Sequence, residues 1–505
     1  MDVIATTRNG QLRGTVHDEV TTFLGIPYAA PPVGSLRWRP PAPAARWDGV
    51  RDATRFGNAA IQTADTGMDL RAQQSEDCLY LNIWAPAETE EASLPVMFWI
   101  HGGGFLNGSS SLAIWTGERL CRNGVVVVSV NYRLGAFGFL NHPELGANFG
   151  LQDWVAGLDW VRNNIAGFGG DPTNVTIFGQ SAGGAATRAL LSAPAARGLF
   201  HKAVIQSAGY EDYAVVESPS FQRSRAATGR MSERLGVADA EALRRTPAEA
   251  VRAASLAEAG INPPPGQVHT PANLVWYPVA DGQIMTEDFS GWPQDVPVLL
   301  GFTQDEARMF VQPETLYAHP ELRPQDVYTP QTLAAMADAL AGPNAPQVLE
   351  YAAKTGSSPY EAIAEIITAA VWHEPALASL ERVAALDRTV FAYDFVRVSP
   401  GARTTGLLAK HSAEIAYLFG SMNPPEAYDG TDAKVSDEVQ HAWTEFARTG
   451  VPSSVDGRTW PIYRPQQREL AYIGDRTEFR AAEPSTLAGL IADARRPPSG
   501  QLDRR

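Results

Sequence analysis

Residues 175–192 read VTIFGQSAGGAATRALLS. A short apolar run with β-branched residues is followed at once by Gly179-Gln180-Ser181-Ala182-Gly183 and then by a run suited to a helix. A serine flanked by glycines at this spacing, between a buried strand and a helix, marks a sharp turn that lifts its hydroxyl clear of the sheet. Glycines on either side remove the Cβ atoms that would obstruct neighbouring backbone. The N-terminus of the following helix points N–H groups at the same spot, where they favour developing negative charge. The pattern therefore requires a strand–turn–helix unit and makes Ser181 a candidate nucleophile.

A second motif belongs to the same chemistry. His101-Gly102-Gly103-Gly104-Phe105 follows the apolar run PVMFWIH at 95–101. Consecutive glycines allow several main-chain N–H groups to converge, and Gly103, Gly104 and Ala182 are the expected donors of an oxyanion hole. Serine is a weak nucleophile at neutral pH and needs a base. Of nine histidines, His411 lies in a loop after the run VFAYDF at 390–395, where sites of open α/β sheets collect, and it keeps the chain order serine, acid, histidine. The acid should lie between them. VPVLLGFTQDEARMF places Asp305 and Glu306 beyond a strand, and spacing does not choose between the two.

Further continuous apolar runs, at 125–131 and 298–301, alternate with helical patterns such as 151–166, whose Leu151, Trp154, Val155, Leu158, Val161 and Ile165 share one face. Runs of this kind belong to a largely parallel sheet covered on both faces, an α/β fold. The reading is one domain over 1–493, with helical insertions near 210–280 and 310–390, and a disordered tail at 494–505. The 505 residues are 44% apolar, enough for a large core, and the net charge of −15 repels nucleic-acid backbones. No apolar run approaches the ~20 residues needed to span a bilayer. No secretion signal is visible at the start, so a cytoplasmic protein is expected. Two cysteines, Cys78 and Cys121, supply neither a disulfide framework nor a zinc site.

Along nearly its whole length the chain resembles the type-B carboxylesterases, the family of bacterial para-nitrobenzyl esterases, animal carboxylesterases and cholinesterases. The resemblance is carried by GIPYAAPPVGSLRWRPP, SEDCLYLNIW, HGGGF, VNYRLGAFGFL, GFGGDPTNVTIFGQSAGG, VPVLLGFTQDE and WTEFARTGVP followed by WPIY. It implies an α/β-hydrolase fold, with Ser181 as nucleophile, Glu306 rather than Asp305 as triad acid, His411 as base, and Gly103, Gly104 and Ala182 as oxyanion donors. No cofactor or metal is implied. Three positions depart from the family. Gln180 stands where the family usually has Glu. Ala60 stands near the place of the cysteine that usually pairs with Cys78. Met68 stands eight residues before Glu76, where cholinesterases carry Trp. Arg37 with Glu76 and Arg133 with Asp153 resemble internal ion pairs of the family.

The resulting expectation is a serine hydrolase that cleaves small, uncharged carboxylic esters, with aryl carbamates as the alternative substrate for the same machinery. A non-enzymatic adhesion protein of the same family is disfavoured because all three triad residues are present.

Overall fold

The computed structural model describes residues 1–62, 70–87, 93–208, 221–259, 274–285, 294–311, 327–482 and 486–495. In chain order its strands are β1 (Asp2–Thr7), β2 (Gly10–His17), β3 (Val20–Pro27), β4 (Val50–Asp52), β5 (Ala59–Ala60), β6 (Gln74–Ser75), β7 (Tyr80–Pro86), β8 (Leu94–Ile100), β9 (Val126–Val130), β10 (Gly170–Gln180), β11 (Lys202–Gln206), β12 (Val298–Thr303), β13 (Val390–Phe395), β14 (Glu469–Ile473) and β15 (Thr477–Ala481). Thirteen form one sheet in the order β1-β2-β3-β7-β9-β8-β10-β11-β12-β13-β14-β15, with β4 beside β2. From β9 to β14 every neighbouring pair is parallel. Antiparallel strands close both edges.

The parallel strands are apolar throughout because both their faces are covered. Successive side chains point to opposite faces, and the residues sort accordingly. Phe98, Val128, Ile177, Ile205 and Leu300 pack on one side with Trp154 and Leu158 of α1 (Phe149–Asn164) and Ala185 and Leu190 of α2 (Ala182–Leu191). Met97, Trp99, Val127, Phe178, Val204 and Leu299 pack on the other, with Trp443 and Phe446 of the 20-residue helix at Gly430–Thr449. The parallel strands β8, β10 and β12 therefore bring the segments that follow them together at the carboxyl ends of the central strands.

Local readings shift where packing extends an element. The helix expected over 151–166 begins at Phe149 and gives way to a 3-10 turn at Ile165–Phe168. Ala494 and Arg495, the first two residues of the tail expected over 494–505, belong to helix Thr486–Arg495. That helix is anchored by buried Leu487, Ala488 and Ile491; residues 496–505 lie outside the described residues. Within the two expected insertions, 210–220, 260–273 and 312–326 lie outside the described residues, and the described parts include helices at Phe221–Leu235, Ala248–Glu258, Pro330–Ala341 and Ala345–Thr355. Among the described residues, no helix is long and apolar enough to cross a membrane.

Candidate active site

Ser181 sits at the junction of β10 and α2 with φ +57° and ψ −126°, a backbone state costly for any residue with a side chain. Two main-chain bonds hold it there. Its N–H donates to the Gln206 carbonyl at 2.9 Å, and its carbonyl accepts from Ala185 N at 3.0 Å. The flanking glycines are sterically required. A Cβ on Gly183 would lie 2.0 Å from the Ile100 carbonyl oxygen, and one on Gly179 would lie 2.3 Å from that of Gly183.

The glycine loop after β8 comes to the same tip, since a Cβ on Gly102 would stand 3.2 Å from Ser181 Cβ. Gly103 and Gly104 both have positive φ, +112° and +61°. The Gly103 carbonyl accepts from Leu106 and Asn107 N–H groups at 3.0 and 3.1 Å. Among the described residues, the N–H groups of Gly103, Gly104 and Ala182 make no hydrogen bond and are free for a ligand. His101 braces this loop from below. Burial pushes its imidazole down to about 4, so the ring is neutral, and its Nδ1–H donates to the Gly102 carbonyl at 2.8 Å. Its ring stacks on Tyr132 at 4.5 Å, and the Tyr132 hydroxyl donates to the His101 carbonyl at 2.9 Å.

Across the tip, His411 and Glu306 are both buried. The His411 Nδ1–H donates to Glu306 Oε2 at 2.5 Å. The other carboxylate oxygen accepts the Thr303 N–H at 2.9 Å, and the Glu306 carbonyl accepts the His411 N–H at 3.1 Å. Asp305, the competing acid, faces elsewhere. Its Oδ2 accepts the Ala409 N–H at 3.1 Å and braces the loop that leads to His411, while burial raises its carboxyl above the usual range.

His411 Nε2, the atom that should take a proton from Ser181, is held by the side-chain amide of Gln180, with Nε2 to Nε2 at 3.1 Å. Ser181 Oγ has no hydrogen-bond partner among the described residues. Two aromatic rings wall the imidazole, Trp372 at 5.4 Å and Phe310 at 5.2 Å. Trp372 lies in a π-helical turn, Ala369–His373, between helices Pro359–Thr368 and Glu374–Ala385. The same turn sets His373 Nε2 3.0 Å from the Thr303 carbonyl, beneath Glu306.

Sequence reading missed Trp372, Phe310 and the Gln180 contact. It also missed a buried acid, Glu414, three residues after His411 and at the start of a short helix. Glu414 accepts from Gln206 Nε2 at 3.1 Å, and burial, then Glu306, push its carboxyl up to about 8. Asp394 is likewise raised to about 8 by burial, then by Asp305 and Glu306. The only signal for Glu414 is its position on the site face of KHSAEIAYLF, which a solvated helix could equally show.

The internal ion pairs lie beside this apparatus. Arg37 grips Glu76 in two bonds, at 2.6 and 2.5 Å, and also donates to the carbonyls of Arg244 and Thr246. Arg133 holds buried Asp153 in the same two-pronged way, at 2.9 and 2.6 Å. Cys78 and Cys121 are buried and unpaired. Ala60 and Cys78 line one small cavity. Met68 lies outside the described residues. Among the described residues, no cluster of His, Cys, Asp and Glu is suited to a metal ion.

The profile described as the Carboxylesterase family matches residues 1–486. A fumonisin B1 esterase of Sphingopyxis macrogoltabida is 36% identical over 487 residues, which cover 90% of this chain and 84% of that one. A para-nitrobenzyl esterase of Bacillus subtilis (strain 168) is 34% identical over 496 residues, covering 93% and 94%. A solved PNB esterase structure superposes with a TM-score of 0.82 at 32% identity, covering 97% of this chain and 99% of that one.

Proposed function

This chain belongs to the carboxylesterase family and is a carboxylic ester hydrolase with the α/β-hydrolase fold, and from that premise we propose that it works through an acyl-enzyme on Ser181. The observation that carries the proposal is the convergence on one serine of two structures built independently. On one side lie three free N–H groups; on the other lies a buried histidine whose Nδ1–H is committed to Glu306.

In this scheme Ser181 Oγ attacks the ester carbonyl carbon while His411 Nε2 takes its proton. Glu306 fixes the tautomer that leaves a lone pair on Nε2 and offsets the imidazolium charge. Negative charge moves to the carbonyl oxygen, where the N–H groups of Gly103, Gly104 and Ala182 receive it. As the tetrahedral intermediate collapses, the C–O bond to the alcohol breaks and His411 returns its proton to the leaving oxygen. Water then repeats the sequence on the acyl-serine and releases the acid. The scheme uses side chains, main chain and water alone.

The substrate proposed is a small, mainly uncharged ester, because the described wall beside His411 is aromatic. Cytoplasmic residence is proposed with it, supported by two buried thiols that remain unpaired. The test is turnover of p-nitrophenyl esters of rising acyl length, with an aryl carbamate included because its carbonyl calls for the same nucleophile and donors. Ser181→Ala should lower kcat by about 10⁶ across the panel, the size of loss found when such a triad loses its serine. A folded variant that keeps a tenth of wild-type turnover overturns the assignment.

A further inference from the structure

The amide of Gln180 occupies the nitrogen that the reaction needs. It is buried, and its contact with His411 is its only side-chain hydrogen bond among the described residues. The direction of that bond follows from the other side of the ring. Because Nδ1 donates its hydrogen to Glu306, the neutral imidazole presents only a lone pair at Nε2, and Gln180 must face it with an N–H. One lone pair thus has two claimants, the Gln180 amide and the Ser181 hydroxyl, and in the structure the amide holds it.

We propose that Gln180 is a positioning residue that clamps His411 at Nε2 in its neutral, proton-accepting form and so sets the pH at which the enzyme begins to work. The inference rests on the reading of His411 as the base. A hydrogen bond donated to the neutral form of a group favours that form, whereas an opposite charge within ~4–6 Å favours the charged form. Glutamate at 180 would reverse the sign of the contact by placing a carboxylate against Nε2, which can be protonated to face it.

Other groups around the ring do not supply this control. Glu306 acts at Nδ1 from the turn after β12, and Asp305 in that turn is committed to Ala409. His373 faces the Thr303 carbonyl from the π turn, and Glu414 faces Gln206 from the segment after His411. His101 is turned to Gly102 in the glycine loop, and the side chain of Lys410, just before His411, has no ion-pair or hydrogen-bond partner among the described residues. Among those residues, Gln180 alone has a side chain bonded to Nε2.

The experiment compares wild type, Gln180→Glu and Gln180→Met, which keeps the volume without a donor. Two readouts are taken: the acid limb of kcat/KM for a neutral p-nitrophenyl ester, and the titration of the His411 imidazole signals by NMR. Gln180→Glu should move both upward by about one pH unit or more, and Gln180→Met by about half a unit. Acid limbs and imidazole titrations within about 0.2 unit of wild type in both variants, or moved downward, overturn the proposal. The NMR titration needs no turnover, so it reads the Gln180 contact even if Ser181→Ala shows the nucleophile to be wrong. Should Gln180→Glu fail to fold, the imidazole titration of Gln180→Met decides by the same criterion.

Discussion

The two sides of the site are built from different materials. The serine side is main chain: a strained turn, three glycines whose space is already taken, and N–H groups aimed by the start of a helix. The histidine side is side chain: an imidazole suspended between Glu306 and Gln180, walled by two rings and underlain by buried carboxyls. The main-chain half is fixed by local sequence and fails sterically when changed. The side-chain half is assembled from residues more than a hundred positions apart and can be tuned by protonation.

That contrast can be broken at several points. On the side-chain half the largest effect is expected at the acid. Glu306→Gln keeps shape but no longer enforces the tautomer, and it should lower kcat by ~10³–10⁴ with the fold intact. Asp305→Asn should leave kcat within a few-fold, since its carboxylate braces a loop instead. The reverse ranking in steady-state kinetics would show that the acid is misassigned.

On the main-chain half the expected loss is one of folding. Gly183→Ala drives a methyl to 2.0 Å from the Ile100 carbonyl, and overpacking of that severity should cost roughly 3 kcal/mol or more. A lowered urea midpoint and a poor yield of soluble protein are the expected readings. A Gly183→Ala variant as stable and active as wild type would mean that the turn is more pliant than its geometry implies.

A smaller effect concerns pH. Glu414 and Asp394 titrate near 8 in the folded chain, against about 4 in an unfolded one. Below the unfolded value both states hold the proton. Between it and about 8 the unfolded chain has released the proton and the native chain has not. Stability should therefore fall as pH rises from about 4 to about 8 and then level off. Glu414→Gln should flatten that slope in urea unfolding; an unchanged slope would show that Glu414 does not hold a proton.

These differences also explain what could be read from sequence. Ser181, its glycines and the loop at 101–105 were legible because each motif is contiguous and admits few conformations. The run VFAYDF offered no comparable cue for His411, which follows it at a distance along an irregular path. Spacing alone could not separate Asp305 from Glu306, a choice left to the family resemblance, because which carboxylate turns inward depends on Thr303 and Ala409 in the folded chain. Trp372 was hidden for a similar reason. EIITAAVWHEPAL reads as one helix, and the π turn that aims Trp372 at His411 adds no distinctive residue to the pattern. The Gln180 contact joins positions 231 apart, so the sequence showed only that a carboxylate was missing.

The central claim, that the main-chain half presents Ser181 as the nucleophile to a base supplied by the side-chain half, is tested most directly by covalent capture. An organophosphate with a p-nitrophenyl leaving group is incubated with wild type, Ser181→Ala and Glu306→Gln, and intact mass and peptide mapping are recorded. The account predicts one phosphoryl adduct per wild-type chain, mapped to Ser181, none in Ser181→Ala, and much slower labelling in Glu306→Gln. An adduct on another residue, or equal labelling of Ser181→Ala, would contradict it.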